Sequence, residues 1–210
     1  MISLADFQRI VAALEASGWA RQDIEWSENI EPPRDAADFA LEAIFVICNS
    51  GMHHVAARNI FERCRGALEI GRPVADVFGH EGKAAAIEKI WRERERIFAD
   101  WSSAQDKTGF LRGLPWIGPI TCLHLAKNFG LDTVKPDVHL ARLAKLHETT
   151  PLALCQDLAR QTGYRVATID TLLWRACATG VLCSRTGTIG ARDEAIGTQA
   201  GLTGTEGAPA

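Results

Sequence analysis

The amino-acid sequence predicts an all-α protein. Apolar residues recur at helical spacing along nearly all of its 210 residues, whereas alternation with a period of two does not persist beyond a few residues. Ser, Thr or Asp precede many of these apolar segments and Gly or Pro follow them, as is typical of helix starts and ends. With 47% hydrophobic residues, the chain is able to bury one sizeable core or two small lobes that share a cleft.

In the first half of the chain, Ser3 and Asp35 are the predicted N-caps of two helices, separated by a loop rich in Pro and acidic residues. Turn-forming residues at 49–51 separate the second of these helices from a third. The fourth is predicted to be the longest, and the alternating charges at 92–96 are typical of a solvated face. The predicted helices run from Ser3 to about Ser17, from Asp35 to about Cys48, from His53 to Leu68 and from Gly82 to about Trp101.

In the second half, Pro119 is well placed as the first residue of a helix that Gly130 closes. Thr150 and Gly163 are predicted boundaries of the helices that follow. The predicted helices are a short one around Phe110 and Leu111, then residues 119–129, 137–146, 151–161 and 166–178.

Residues 184–210 are predicted to form a disordered tail. They are rich in Gly, Thr and Ala and contain no aromatic residue, so little apolar burial is available to offset the entropy of ordering them. The folded domain is therefore predicted to span residues 1–183.

The charge of the chain is distributed unevenly. A net charge of −3 and an isoelectric point near 6.1 argue mildly against nucleic-acid binding. However, residues 1–42 hold nine acidic and three basic residues, whereas residues 105–147 hold six basic and three acidic ones. Any DNA is therefore expected on the part of the surface that 105–147 forms.

Hydropathy and cysteine usage narrow the class of protein. No stretch approaches the roughly 18 apolar residues of a membrane span, and the first residues lack the pattern of a signal peptide, so we expect a cytoplasmic protein without a membrane partner. The cysteines are scattered within helical patterns, and we expect reduced, buried thiols. Cys177 and Cys183 form the closest pair, and their local spacing supports neither a four-cysteine zinc site nor an iron-sulfur cluster.

Two neighbouring motifs carry the candidate chemistry. Residues 114–121 read Leu-Pro-Trp-Ile-Gly-Pro-Ile-Thr, a Gly-bearing turn that opens a helix, and the N–H groups of Gly118, Ile120 and Thr121 are expected to donate to a phosphate. Taken alone, such a turn is an ordinary connection between helices. Asp137 follows Pro136 where a helix is expected to begin, so its carboxylate is by itself best explained as an N-cap.

Together the two motifs closely resemble the signature of the helix-hairpin-helix (HhH-GPD) DNA glycosylases related to endonuclease III. In that family a Leu-Pro-x-aliphatic-Gly hairpin, here at about 110–130, precedes an Asp that is followed by an aliphatic residue and often by His. In this chain the Asp stands 19 residues after Gly118. The resemblance extends more weakly across residues 38–174, and it implies a two-lobed helical fold with the active-site cleft between the lobes.

The resemblance implies a base-excision glycosylase that acts on double-stranded DNA containing a modified base. Asp137 would be the catalytic carboxylate, stabilising an oxocarbenium-like sugar and positioning water. The backbone carbonyls of Arg112, Leu114 and Ile117 would hold a monovalent cation, Na⁺ or K⁺, that bridges to the phosphate. We expect no other cofactor, and a monomer.

This chain departs from the family pattern at two hairpin positions. Bifunctional relatives carry a nucleophilic Lys where this chain has Ile120, which predicts a monofunctional enzyme that hydrolyses the glycosidic bond. Relatives usually have Gly where this chain has Trp116, whose indole either packs into the minor groove or covers the core. A relocated lyase lysine at Lys83, Lys127 or Lys135 stays open as an alternative.

Three further residues are predicted DNA contacts. Met52 is the candidate to fill the space that an extruded base leaves, by its position after the second predicted helix. His139 is expected to contact the DNA backbone or the base pocket, and Lys135 is expected to contact DNA beside Asp137.

Two other readings of the sequence stay open. One is a non-catalytic helix-hairpin-helix module that binds DNA or a lesion, and the other is an unrelated helical scaffold that carries the motif by coincidence. Which base would be excised is also open, because pocket residues are scattered along the sequence.

Overall fold

The computed structural model describes residues 1–52 and 54–190, with the side chain of His54 left out. Within them the chain forms eleven α-helices and one 3-10 turn, and the only β-type pairing is the bridge between Leu182 and Ile189. The predicted all-α class is therefore confirmed. The helices are α1 (Leu4–Ala16), α2 (Ala20–Glu28), α3 (Ala36–Asn49), α4 (His54–Glu69), α5 (Glu81–Arg92), α6 (Arg94–Ser103), α7 (Lys107–Arg112), α8 (Pro119–Asn128), α9 (Val138–Leu146), α10 (Pro151–Thr162) and α11 (Val166–Ala178).

The predicted helix boundaries are confirmed where a side chain or a glycine creates them. The side chains of Ser3, Asp35 and Thr150 accept hydrogen bonds from the first turns of α1, α3 and α10. Gly163 ends α10 in the left-handed conformation, with φ of 78°. Local chemistry alone is sufficient to set these ends.

The buried apolar residues form two separate clusters. The first core is built from residues 39–129 around α3, which packs against α4, α5, α6 and α8. The second core combines residues 2–20 with residues 134–182 around α11, which packs against α1, α2, α9 and α10. The N-terminal helix therefore folds onto the C-terminal helices rather than onto its neighbours in sequence.

The structure contains a helix, α2, where the sequence indicated only a loop. The buried residues of α2 are small or polar, namely Ala20, Asp23 and Ser27, so the segment lacks the apolar face on which the prediction depended. Asp23 accepts two hydrogen bonds from Arg175 on α11, at 2.7 and 2.9 Å. The ion pair between Asp23 and Arg175 thus holds α2 against α11, where an apolar face would usually do so.

The helix predicted over 82–101 is in fact two helices that meet at Glu93. The guanidinium of Arg94 donates to the carbonyl of Trp91 at 2.7 Å and lies over its indole, which satisfies the end of α5. After the break, Trp101 on α6 packs against Phe39 in the first core. The prediction was wrong because apolar spacing does not report this interruption at a single residue.

The folded part of the chain continues beyond the predicted boundary at residue 184. Ser184 is buried, and the N–H of Cys183 donates to the carbonyl of Thr188 at 2.9 Å. Residues 184–190 therefore belong to the fold, whereas the rest of the predicted tail, 191–210, lies outside the described residues. The predicted boundary was wrong because backbone hydrogen bonds, which hydropathy does not report, order residues 184–190.

The structure also bears on the cysteines and on membrane-spanning helices. The six cysteines all lie within the described residues, and no disulfide bond joins any two of them. Among the residues described, no helix has the length and apolar character needed to cross a bilayer.

The two cores meet at the turn after α8. The Arg165 guanidinium, at the start of α11, donates to the carbonyls of Gly130 and Ser27. Gly130 has φ of +78°, and a Cβ atom there would lie 2.8 Å from the carbonyl oxygen of Ile30. The close approach of these two backbone segments therefore requires glycine.

We predict that Gly130→Ala destabilises the protein by about 1 to 3 kcal/mol more than Gly18→Ala, because the added methyl group must displace backbone. Gly18 has a similar φ of +81°, but apart from its chain neighbours no residue that the structure describes has an atom within 4 Å of the added methyl group, so its variant measures the effect of the backbone conformation alone. Urea unfolding of both variants measures the difference, and equal losses would contradict the steric argument.

Candidate functional site

The hairpin between α7 and α8 is a tight connection over residues 113–118. The N–H of Ile117 donates to the carbonyl of Leu114 at 3.1 Å, and both side chains are buried in the first core. The buried side chains of Leu114 and Ile117 and the hydrogen bond between their backbones therefore hold the connection against the first core.

The first turn of α8 presents its backbone N–H groups outward. Gly118 is the N-cap in an extended conformation, and no side chain in the described structure caps this helix. Ile120 in the first turn is 51% exposed, and apart from its two chain neighbours no described residue has an atom within 4 Å of a Cβ atom added at Gly118. The N–H groups of Ile120 and Thr121, together with the helix dipole, are thus available to an anion.

Trp116, at the tip of the hairpin, has φ of 64°, a region that favours glycine. The residue is 45% exposed, and its indole packs on the start of α5, where a Cβ atom at Gly82 would lie 2.6 Å from its Cζ3. The ring of His80 stands edge-on to it, at 5.0 Å between centroids. The indole therefore lies at the surface, on α5, rather than inside the first core.

The start of α5 also contacts the turn between α3 and α4. Lys83 is buried, and its Nζ donates to the carbonyl of Ser50 at 2.6 Å. Met52 follows in that turn and is partly buried against the first core, and its neighbour His53 lies outside the described residues. Met52 and Trp116 are thus connected through α5, although the sequence separates them by 64 positions.

Asp137 is the N-cap of α9. Its Oδ1 accepts hydrogen bonds from the N–H groups of His139 and Leu140, at 2.9 and 3.0 Å. Its own N–H donates to the carbonyl of Lys135 at 2.7 Å across Pro136, which tightens the approach to the helix. Within residues 1–52 and 54–190, Oδ2 has no hydrogen-bond partner, so one carboxylate oxygen stays available.

A buried ion pair lies close to this turn. Lys127 on α8 donates to Asp170 on α11, and the two are 8% and 1% exposed. Lys127 also donates to the hydroxyl of Thr171 at 3.3 Å, and the N–H of Lys135 points at Asp170 at 3.5 Å. The pair joins the two cores, because α8 belongs to the first and α11 to the second.

The three lysines considered as relocated nucleophiles have different surroundings. Lys127 is paired with Asp170, and Lys83 is bonded to a backbone carbonyl, which leaves neither ammonium free. Burial lowers the pKa of Lys135, an effect that the charge of Asp137 partly offsets. No ion pair to Lys135 within 4.0 Å is found in the part of the chain that the structure describes.

His139 is engaged on one side by the C-terminal segment. Its Nδ1 lies 3.1 Å from the hydroxyl of the buried Ser184. The ring is partly buried, so the orientation of this predicted DNA contact depends on residues that the sequence assigned to the tail.

A monovalent cation at the hairpin would be held by backbone carbonyls, whereas other metal ions are usually held by side chains. Of the carbonyls of Arg112, Leu114 and Ile117, that of Leu114 already accepts the N–H of Ile117 and retains one lone pair for a cation. Among the described side chains, no group of three or more His, Cys, Asp or Glu residues is arranged to hold a metal ion.

Cavities of about 320 and 330 Å³ flank the hydrogen bond between Glu42 and Asn128, away from Asp137. Glu31 and Asp38 line the first of them, and burial raises the pKa of Glu42. Neither cavity is lined by Asp137 or by a residue of the hairpin, so we place the candidate site at the two motifs instead.

The structure divides the predicted site residues between two groups. Trp116, Met52 and the hairpin form one group around the start of α5, whereas Asp137, Lys135 and His139 form the other at the start of α9. Helix α8 spans the two, and Ile120 and Lys127 are separated by about 10 Å along its axis.

The sequence analysis missed the Asp170 partner of Lys127 and the packing surface that Gly82 and His80 provide for Trp116. One signal was present, because Asp170 interrupts the apolar run Val166–Trp174 and a charge there requires a buried partner. No local signal connects Gly82 with Trp116, since the contact is tertiary.

Comparison of the chain with models of known protein families, with curated proteins and with solved structures gives no match. The resemblance to helix-hairpin-helix glycosylases therefore stays a prediction from the motifs.

We predict that Lys127→Met lowers the free energy of unfolding by about 3 to 5 kcal/mol, because it leaves Asp170 buried without its partner. Adding Asp170→Leu should recover most of that loss. The exposed pair of Arg72 and Asp76, joined at 3.1 Å, is the control, and Arg72→Met should cost less than about 1 kcal/mol. Urea unfolding of these variants tests this, and a double variant no more stable than Lys127→Met would contradict it.

Proposed function

We propose that this protein is a DNA base-excision glycosylase that extrudes a modified base from duplex DNA and hydrolyses its N-glycosidic bond. The observation that carries the proposal is the geometry of Asp137. One oxygen of its carboxylate caps α9, and the other has no partner among the described residues. The proposal includes the two-lobed glycosylase fold, in which the first and second cores would be the lobes beside the cleft.

The hairpin supports the proposal as a grip on the DNA backbone. The N–H groups of Gly118, Ile120 and Thr121 would donate to one phosphate, with Na⁺ or K⁺ on the carbonyls of the preceding turn. Helix α8 runs from the hairpin to Lys127, whose partner Asp170 also faces the N–H of Lys135, so a phosphate at the hairpin and a sugar at Asp137 would be contacts to one strand.

Asp137 would act on the sugar of the extruded nucleotide. The bond between C1′ and the base nitrogen breaks, and its electron pair leaves with the base. The free Oδ2 would stabilise the positive charge that develops on the sugar and orient a water molecule, whose oxygen bonds to C1′ and whose proton is released. The products are the free base and an abasic site.

Two observations support hydrolysis rather than attack by a lysine. Ile120 carries no nucleophile, and the ammonium groups of Lys83 and Lys127 are engaged. Lys135 would instead contact the DNA beside Asp137. Met52 stays the predicted residue that fills the space left by the extruded base. His139 stays a predicted contact to the DNA backbone or the base pocket.

We predict that Asp137→Asn lowers base release by at least about 100-fold, because it removes the charge and keeps a side chain that caps α9. The assay uses labelled duplexes that each hold one alkylated, deaminated, oxidised or hypermodified base, and strands are analysed with and without hot alkali. Breaks should occur only after alkali.

Asp35→Asn is a matched control, because Asp35 caps α3 through Oδ1 with the same pattern of two N–H donors, at 2.9 and 2.8 Å. Its activity should equal that of the wild type. Loss of activity in both variants would assign the effect to capping, and binding without base release from any duplex would favour the non-catalytic DNA-binding module.

We also predict that Ile120→Lys introduces strand cleavage without alkali and a covalent adduct that borohydride traps, because bifunctional members of the family that the motifs resemble carry their nucleophilic Lys at this position, which is exposed here. Ile120→Gln, of similar length but not nucleophilic, should show neither. Trapping of the wild-type protein would contradict the hydrolytic mechanism, and loss of that adduct in Lys135→Met would then identify the amine.

A further inference from the structure

The backbone at Trp116 is unfavourable for the residue that occupies it. A side chain at φ of 64° costs about 1 to 2 kcal/mol relative to glycine, and indole is among the bulkiest. Such a cost persists only when the side chain contributes something that glycine lacks. Packing against the fold accounts for only part of that contribution, because Trp116 is 45% exposed.

The exposed indole is held in one orientation by its neighbours. The absence of a side chain at Gly82 lets the six-membered ring lie directly on the backbone of α5. The ring of His80 stands at 78° to it on another side, and the Nδ1 of His80 is fixed by accepting the N–H of Lys83. A rigid aromatic side chain loses little entropy when it binds a flat partner.

The indole stands next to the anion-binding end of α8. Trp116 is two residues before Gly118, and the exposed Arg112 lies at the other side of the connection. Residues 105–147 carry a net positive charge, which complements a polyanion. An exposed aromatic ring beside phosphate-binding N–H groups is the combination that proteins use to bind stacked bases and backbone together.

The same surface includes the turn that holds Met52. Lys83 joins the start of α5 to that turn through the carbonyl of Ser50. The indole and the predicted gap-filling residue are therefore attached to one rigid element.

We infer that Trp116 is a base-stacking residue, whose indole stacks on a nucleobase beside the gap left by the extruded nucleotide. The inference rests on the proposed function, because it takes duplex DNA as the partner. It adds a recognition element that does not depend on the hydrolytic step.

The test measures binding to a duplex with one tetrahydrofuran abasic site and a fluorescent label at its far end, a probe that no glycosylase turns over. Trp116→Ala should weaken binding by about 5- to 150-fold, the range for loss of one base stacking on an aromatic ring. The slope of the affinity against salt concentration should not change, because no phosphate contact is lost. Trp116→Phe should retain most of the affinity.

Three variants separate stacking from a structural role. Trp116→Gly should weaken binding and yet melt near the wild-type temperature, because the backbone strain that it removes offsets the packing on Gly82 that it loses. Gly82→Ala, whose methyl group displaces the indole, should weaken binding with Trp116 still present. Trp26→Ala is the control, since Trp26 is equally exposed, at 45%, and lies on α2.

Binding by the Trp116→Ala variant equal to that of the wild type would overturn the inference and leave the proposed function standing. An equal loss in Trp26→Ala would overturn it as well, since it would show a general effect of apolar surface. Wild-type protein that does not bind the duplex at all would overturn both.

Discussion

The buried contact between Lys127 and Asp170 is the constraint on which the rest of the site depends. A charge with so little exposure is tolerated only beside its partner, so α8 and α11 must meet at this point. The first core is thereby joined to the second. Because α8 begins at the hairpin, and because Asp170 also faces the N–H of Lys135, the same pair fixes the relative positions of the hairpin and the turn before Asp137.

A capping residue and a catalytic residue make compatible demands on one carboxylate. An N-cap uses a single oxygen to accept two N–H groups, and this holds the side chain in one rotamer with the second oxygen turned outward. At Asp137 the preceding Pro136 and the short turn from Lys135 restrict the backbone further. The role in folding therefore preorganises the group that the proposed chemistry requires.

The acidic character of the N-terminal segment is partly used inside the fold. Asp23 pairs with Arg175, and Glu28 accepts from the N–H of Arg165 and from the hydroxyl of Thr168, so these charges hold α2 against α11. The hairpin, in contrast, leaves Trp116 and Ile120 exposed at its end of α8. Part of the acidic excess of residues 1–42 is thus neutralised inside the fold.

The sequence by itself determined the features that depend on neighbours along the chain. These are the helical class, the caps at Ser3, Asp35 and Thr150, the start of α8 at Pro119, and the position of Asp137 at a helix start. Only the tertiary structure decided how α2 is stabilised, where the helix at Glu93 breaks, that residues 184–190 belong to the fold, and that Trp116 packs on Gly82. The physical reason is how far apart the interacting residues lie in the sequence. Apolar periodicity and capping depend on residues within one or a few helical turns, whereas ion pairs and close backbone contacts join residues that are distant in the chain.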